Sequence, residues 1–166
     1  MGRVRCVLER EFVLVRKEIK NNGYNWVGSL AGPWKLARET VSLDILSNGR
    51  FILGAGLGWP PEIEFGPFSE TVDNVKRGEM LDEGLDVLTG LWKGKRFSYN
   101  GNHFNINNVI FKPTPLQTPR IPIWIGGMWP NKKPFIRASK WDGVFPISKS
   151  EKPCLLYTSP SPRDRG

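Results

Sequence analysis

Three apolar runs in the chain, Phe51-Ile52-Leu53, Ile121-Pro122-Ile123-Trp124-Ile125 and Val144-Phe145-Pro146-Ile147, carry no alternating polar residues. A strand reads this way when both of its faces are covered, as in parallel sheets whose crossover helices lie against them. Helix-period segments fill the intervals. Over 33–47, Trp34, Ala37, Val41 and Ile45 recur as one apolar stripe. Pro33 suits a first helical turn, where its missing N–H has no partner to lose. Gly49 suits the left-handed residue that ends a helix. A longer helix is predicted over about 71–92, with Leu81, Leu85, Leu88 and Trp92 inward and Asp82, Glu83 and Asp86 outward. Ser69 or Thr71 is its candidate N-cap.

KGKRFSYNGNHFNINNVIF, residues 93–111, reads as a hairpin, because Asn100-Gly101 between β-prone runs favours a two-residue turn. A proline-rich approach, KPTPLQTPR, leads to the strand IPIWIGG, which ends in a glycine pair. PFIRASKWDG reads as a short helix and GVFPI as a third strand. Strands alternating with helices imply a parallel α/β arrangement. Two architectures satisfy it, a doubly wound sheet and a (β/α)₈ barrel; a whole barrel takes about 250 residues, and three strands are under half of one.

Charge and cysteine content narrow the partners. The net charge of +8 is spread along the chain: residues 1–20 hold six Lys/Arg against three acids, and 149–166 hold four against two. With no basic block, the excess reads as solvated surface rather than a nucleic-acid footprint. The chain has no apolar run long enough to span a membrane, and Arg10, Glu11, Arg16 and Lys17 interrupt the apolar start that a signal peptide would need. Cys6 and Cys154 form no framework, and His103 is the only histidine, so no metal site is expected. A cytoplasmic setting follows as the default expectation.

The glycines carry the functional question. Gly54, Gly56 and Gly58 follow the first apolar run, but Trp59, Pro60 and Pro61 stand where a dinucleotide fingerprint would open a helix. No Gly-Lys-Ser/Thr follows, so a phosphate-cradling P-loop is excluded as well. What remains is close approach of a bulky ligand to bare backbone at a strand's C-terminal end, or a plain strand-to-loop turn. Gly126-Gly127 repeats the choice: a phosphate held on free N–H groups, or a turn that needs positive φ.

The blocks PWKLARETVSLDILSNGRFILGAGLGW, EMLDEGLDVLTGLWKG, PRIPIWIGG and ASKWDGVFP together resemble the bacterial luciferase-like monooxygenase family over about residues 33–147. That resemblance implies a flavin- or deazaflavin-dependent oxidoreductase on a (β/α)₈ barrel. RFILGAGLGW resembles the fourth barrel strand, PIWIGG the fifth and WDGVFP the sixth. The expected fold is therefore α/β, a partial TIM (β/α)₈ barrel of roughly the fourth to sixth strands with a β-hairpin insertion. The cofactor implied is FMN or a deazaflavin coenzyme at the C-terminal barrel face. Gly56 and Gly58 match positions beside its ring, and Gly126, Gly127 and Met128 match a phosphate-binding turn. Some deazaflavin members place a catalytic glutamate where this chain has Trp59; Glu62 and Glu64 are nearby. No catalytic residue is assigned.

The resemblance also divides the chain into an atypical segment 1–32, a barrel portion 33–147 and a tail 148–166. CLLYTSPSPRDRG resembles translated adapter sequence, so the tail is expected to be disordered and non-native and the chain a fragment. The activity implied is hydride transfer or oxygen insertion on a small organic substrate; the alternative is a noncatalytic α/β binding or scaffold fragment. Self-association of a full-length protein is left open. Of the other residues weighed, Trp59 and Trp129 are expected to pack at the rim or core and Trp124 in the core. His103 is expected to be bonded locally. Glu62, Glu64 and Glu70 resemble the paired acids of glycosidases only weakly in this loop, and Arg137 and Lys140 are expected to be solvated.

Overall fold

A computed structural model describes residues 25–27, 32–58 and 60–148. The expectations for the N-terminal segment up to 24, for the tail from 149 and for Trp59 lie outside the described residues. The elements run β1 (Asn25–Val27), α1 (Pro33–Leu46), β2 (Leu53–Ala55), α2 (Pro61–Glu64), α3 (Asn74–Trp92), β3 (Arg96–Asn100), β4 (Asn105–Ile110), β5 (Ile123–Trp129), α4 (Lys132–Ala138) and β6 (Gly143–Ser148). Four strands form one sheet in the order β1-β2-β5-β6, every neighbour parallel. The third strand expected from the sequence is thus the fourth of the sheet, because Asn25–Val27 also pairs, in register with Leu53–Ala55.

The parallel sheet was expected; all three residues of β2 are buried, as expected, but β5 is not covered alike on both faces. Leu53, Ala55, Ile123 and Ile125 are fully buried against the apolar sides of α1 and α3. Trp124, Gly126 and Met128 of β5 alternate with the buried residues and are only half-buried. The helices cover one face, and the other presents a different row of residues.

Helix α1 buries Pro33, Leu36, Ala37, Thr40, Val41 and Asp44. Trp34 and Ile45, assigned to the apolar stripe, are 51% and 43% exposed, so the buried line is turned about one position from the expected one. Two polar residues on that line are satisfied internally: Thr40 Oγ1 donates to Leu36 O at 2.7 Å, and Asp44 accepts from Leu116 N–H at 2.7 Å. Gly49 is left-handed as expected, at φ +71, but the left-handed residue that directly follows the C-cap Ser47 is Asn48, at φ +54; the N–H groups of Asn48 and Gly49 donate to Ile45 O and Asp44 O. In α3 the N-cap is Asp73, whose Oδ1 accepts from Val75 N–H at 2.8 Å. Thr71 sits two residues before it and accepts from Asp73 N–H.

β3 and β4 form a separate antiparallel pair with a bulge between Phe97 and Tyr99. Its connection is four residues long rather than the expected Asn-Gly pair: Asn100 pairs with Asn105, and Gly101 N–H donates to Phe104 O at 2.9 Å. The reason lies on α3. Glu83 accepts backbone N–H bonds from Asn102, His103 and Phe104 at 2.8, 2.9 and 3.1 Å, which needs an open loop.

Partial burial works to raise the Glu83 carboxyl, but these three bonds and His103 outweigh it and hold it below its usual value near 4.5. A carboxyl depressed on folding contributes stability that is complete above its unfolded value and is lost as pH falls through the folded one. The Asn102–Phe104 amide shifts are therefore expected to hold steady from neutral pH down to about 4.5 and to move below it. Glu83→Gln should show the moved shifts already at neutral pH, and an NMR titration of these amides checks both.

Candidate functional site

β2 and β5 are in register at Ala55↔Ile125, so the residues that follow, Gly56 and Gly126, emerge side by side. One row below, Trp26, Gly54, Trp124 and Gly143 occupy neighbouring register positions across all four strands. The Trp124 indole lies across Gly143, where an added Cβ would come within 2.7 Å of Nε1. Trp124, expected in the core, is therefore on the sheet face away from the helices, half-buried, directly beneath Gly126. Phe145 stands beside Gly126 in register on β6 and Met128 is two residues further along β5. Between an indole floor and these two side chains the main chain of Gly56 and Gly126 carries no side chain.

The glycine pair does not end its strand. β5 continues through Trp129, pairing with β6 to Ser148, and the turn comes at Asn131, whose N–H donates to Met128 O at 2.9 Å. Pleating sends the two glycines to opposite faces. Gly126 shares the face away from the helices with Met128. Gly127 is buried on the helix side, where an added Cβ would lie 2.9 Å from Pro134 Cβ of α4. Its lack of a side chain admits α4, whatever else its backbone does.

Gly58 lies beyond β2 in the left-handed region at φ +75, and an added Cβ would be 2.7 Å from Phe65 Cζ. Both conformation and space therefore require glycine there. Phe65 belongs to the connection from β2 to α3, which contains α2 and a 3₁₀ turn at Gly66–Phe68. Across this connection lies Arg77, a residue that the sequence pattern alone does not single out. It is 1% exposed, with its guanidinium carbon 3.4 Å from the Phe65 ring centroid. The available signal was its position: Arg77, Leu81, Leu85 and Leu88 share one helical stripe, so a charge stood on an apolar line. Burial pushes the Arg77 guanidinium down from its ordinary value, and the neighbouring Glu70 carboxylate pushes it back up.

The remaining candidates are dispersed. Arg137 is neither solvated nor free for an anion: its Nε and a terminal nitrogen reach the Asp82 carboxylate at 2.6 and 3.0 Å. Lys140 is exposed, as expected. His103 Nε2 is 3.2 Å from Glu79 Oε2, the local bond anticipated for it. Glu62 is exposed on α2. Trp129 is 58% exposed and meets Phe135 edge-on at 6.0 Å, so it belongs to the rim. Among the described residues no group of His, Cys, Asp and Glu could hold a metal ion, and no helix is long and apolar enough to cross a membrane.

Comparison with known proteins adds independent findings. The luciferase-like monooxygenase family model matches residues 27–153. The oxygenase component of the flavin-dependent trigonelline monooxygenase of Acinetobacter baylyi is 34% identical over 103 residues, 62% of this chain and 28% of that protein. The FMNH2-dependent dimethylsulfone monooxygenase of Pseudomonas putida is 30% identical over 102 residues, 59% of this chain and 28% of that protein. Among solved structures, the coenzyme F420-dependent tetrahydromethanopterin reductase of Methanopyrus kandleri has a TM-score of 0.63 at 18% identity, covering 78% of this chain and 41% of that one. That last likeness concerns the fold alone. The chain spans less than a third of the length of these two curated relatives.

Proposed function

The chain belongs to the luciferase-like monooxygenase family, and from that premise we propose that it forms the cofactor-facing part of a flavin-dependent oxidoreductase. In this reading β1, β2, β5 and β6 are the third to sixth strands of a (β/α)₈ barrel, with α1, α3 and α4 on its outer side and β3–β4 as an insertion. The observation that carries it is the side-chain-free main chain of Gly56 beside Gly126, on the sheet face away from the helices and at the C-terminal end of the strands. In parallel α/β proteins that end is where ligands lie. A flat ring fits such a strip, because no Cβ holds it off the backbone.

The ring would rest along Gly56 and Gly58, and the main chain from Gly126 to Met128 would face the phosphate-bearing end. Trp124 closes the space below and excludes water from it. When bound, an FMN or deazaflavin ring itself supplies hydride transfer or oxygen activation toward a small organic substrate. The protein's part is then to hold and orient that ring, which explains why no catalytic triad is needed on these strands. The relatives named as flavin-dependent and FMNH2-dependent support the flavin class, and the choice between FMN and a deazaflavin is left to experiment.

The test is a titration of the purified chain with FMN and with coenzyme F420, reading retained chromophore after ultrafiltration. Saturable binding of one of them at one per chain is expected; retention of neither by a chain with a folded circular dichroism spectrum would overturn the proposal. Gly126→Val is expected to weaken binding at least about tenfold, or about 1.4 kcal/mol, with the unfolding midpoint little changed. Gly127→Val should instead lower the midpoint, because its side chain meets Pro134.

A further inference from the structure

We infer that Arg77 is the positioning residue for the ring-facing loop, holding the whole β2–α3 connection in the form that leaves Gly56 and Gly58 open to a flat ligand. This rests on the reading of those glycines proposed above. Three contacts spread along the connection converge on the one guanidinium. One terminal nitrogen donates to Leu57 O at its beginning. The other donates to Thr71 O at its end, at 3.2 Å. The plane between them lies on the Phe65 ring in the middle, at 3.4 Å. Gly58 is folded against the same pair, with its missing Cβ 2.7 Å from Phe65 and 3.4 Å from the Arg77 nitrogen.

The energetics argue against a merely incidental arginine. A cation that is 1% exposed has lost its hydration, and its Nε has no hydrogen-bond partner among the described residues. Leaving a buried donor unmade is costly, and an apolar residue on the same helical stripe would avoid the cost. What an apolar residue cannot do is hold two carbonyls fourteen positions apart. Lysine matches this less well, since its donors share one nitrogen and it has no flat face, whereas the guanidinium presents donors on separate arms of a rigid fork and stacks on the ring between them. Connections of this length with little regular structure are either tied down or mobile. Here the Arg77 side chain supplies a tie, anchored in α3 and ending beside the candidate ring site.

Two variants of the chain test this, Arg77→Met and Arg77→Lys, the second keeping the charge in case the first does not fold. Three readouts apply to each: amide hydrogen exchange over residues 57–71, FMN affinity, and the visible absorption of FMN at saturation. Arg77→Lys is expected to speed exchange in 57–71 while leaving the β3–β4 hairpin unchanged, to weaken FMN about tenfold, and to shift the bound FMN spectrum. A lysine variant that binds FMN with wild-type affinity and spectrum overturns the role of Arg77, whatever the loop exchange does. In that case wild-type binding still stands for the cofactor reading. If the folded wild-type chain retains neither FMN nor coenzyme F420, both inferences fall together.

Discussion

Asp44→Ala is expected to lower stability by about 3 kcal/mol, a larger effect than an ordinary surface change would have. The carboxylate is fully buried in α1 yet serves a segment more than seventy residues away. Its Oδ2 accepts from the Leu116 and Gln117 N–H groups at 2.7 and 3.2 Å, and its Oδ1 from Gln117 Nε2 at 2.7 Å. The same Gln117 amide also donates to Phe51 O at 2.7 Å, just before β2. Removing the carboxylate leaves three donors without an acceptor and loosens the approach to β5 and to β2 together. Asp44→Asn keeps one acceptor in nearly the same volume and should lose roughly a third as much. Urea midpoints at constant m-value separate the two; an alanine variant within 0.5 kcal/mol (about the surface norm) would show that the linker is held by other means.

Gly90→Val comes next in size, with an expected loss of about 1–3 kcal/mol from overpacking. Gly90 is a buried residue of α3, and a Cβ there would run into the Phe97 ring of β3. Phe97 in turn stacks with Tyr99, ring centroids 6.4 Å apart. The hairpin thus lies on the helix through an aromatic ring that takes the place of a side chain. Gly90→Ala makes the sign informative, because alanine for glycine inside a helix normally gains up to about 1 kcal/mol. A loss in that variant would isolate the contact with Phe97. A stabilised valine variant with native hairpin chemical shifts would mean that the ring moves aside freely.

Much of the fold is legible in the residue pattern, and the exceptions share a physical cause. The apolar runs at Phe51, Ile123 and Val144 announce parallel strands because a buried strand needs no polar alternation. They do not announce that only one face meets helices, since Trp124, Gly126 and Met128 read as buried material in either case. β1 is three residues long, and its pairing with β2 depends on backbone bonds that its sequence does not advertise. In α1 the expected stripe followed the large apolar residues, whereas the true inner line includes Thr40 and Asp44. A pattern of hydrophobicity counts such residues as outward, because their partners lie elsewhere in the chain. The four-residue hairpin connection escaped for the same reason: the Asn-Gly signal is local, and the three bonds to Glu83 are not.

The candidate site shows a similar division. Bare backbone at Gly56, Gly58 and Gly126 could be read directly, since glycine is recognisable wherever it stands. The assignment of Gly126 and Gly127 to opposite faces could not, because adjacent glycines look alike until the strand is known to run on through Trp129. Arg77 was concealed by its charge, which suggests solvent, although its place on the line of Leu81, Leu85 and Leu88 pointed inward.

One carboxylate has a wider consequence than its local bonds suggest. Asp142, held by Arg120, accepts from Ile123 N–H at 2.8 Å, and its own N–H donates to Ile123 O at 3.0 Å. The first residue of β5 is thereby clamped to the residue just before β6. Side chains alternate along a strand, so what the clamp sets is phase. Shifted by one residue, the strand would turn Gly127 outward, press Gly126 against α4 and drive the Trp124 indole into the helix layer. Between Ile123 and Gly126 the chain therefore counts in twos: its length there is constrained by parity, and an odd change would invert the surface even if every residue type were kept.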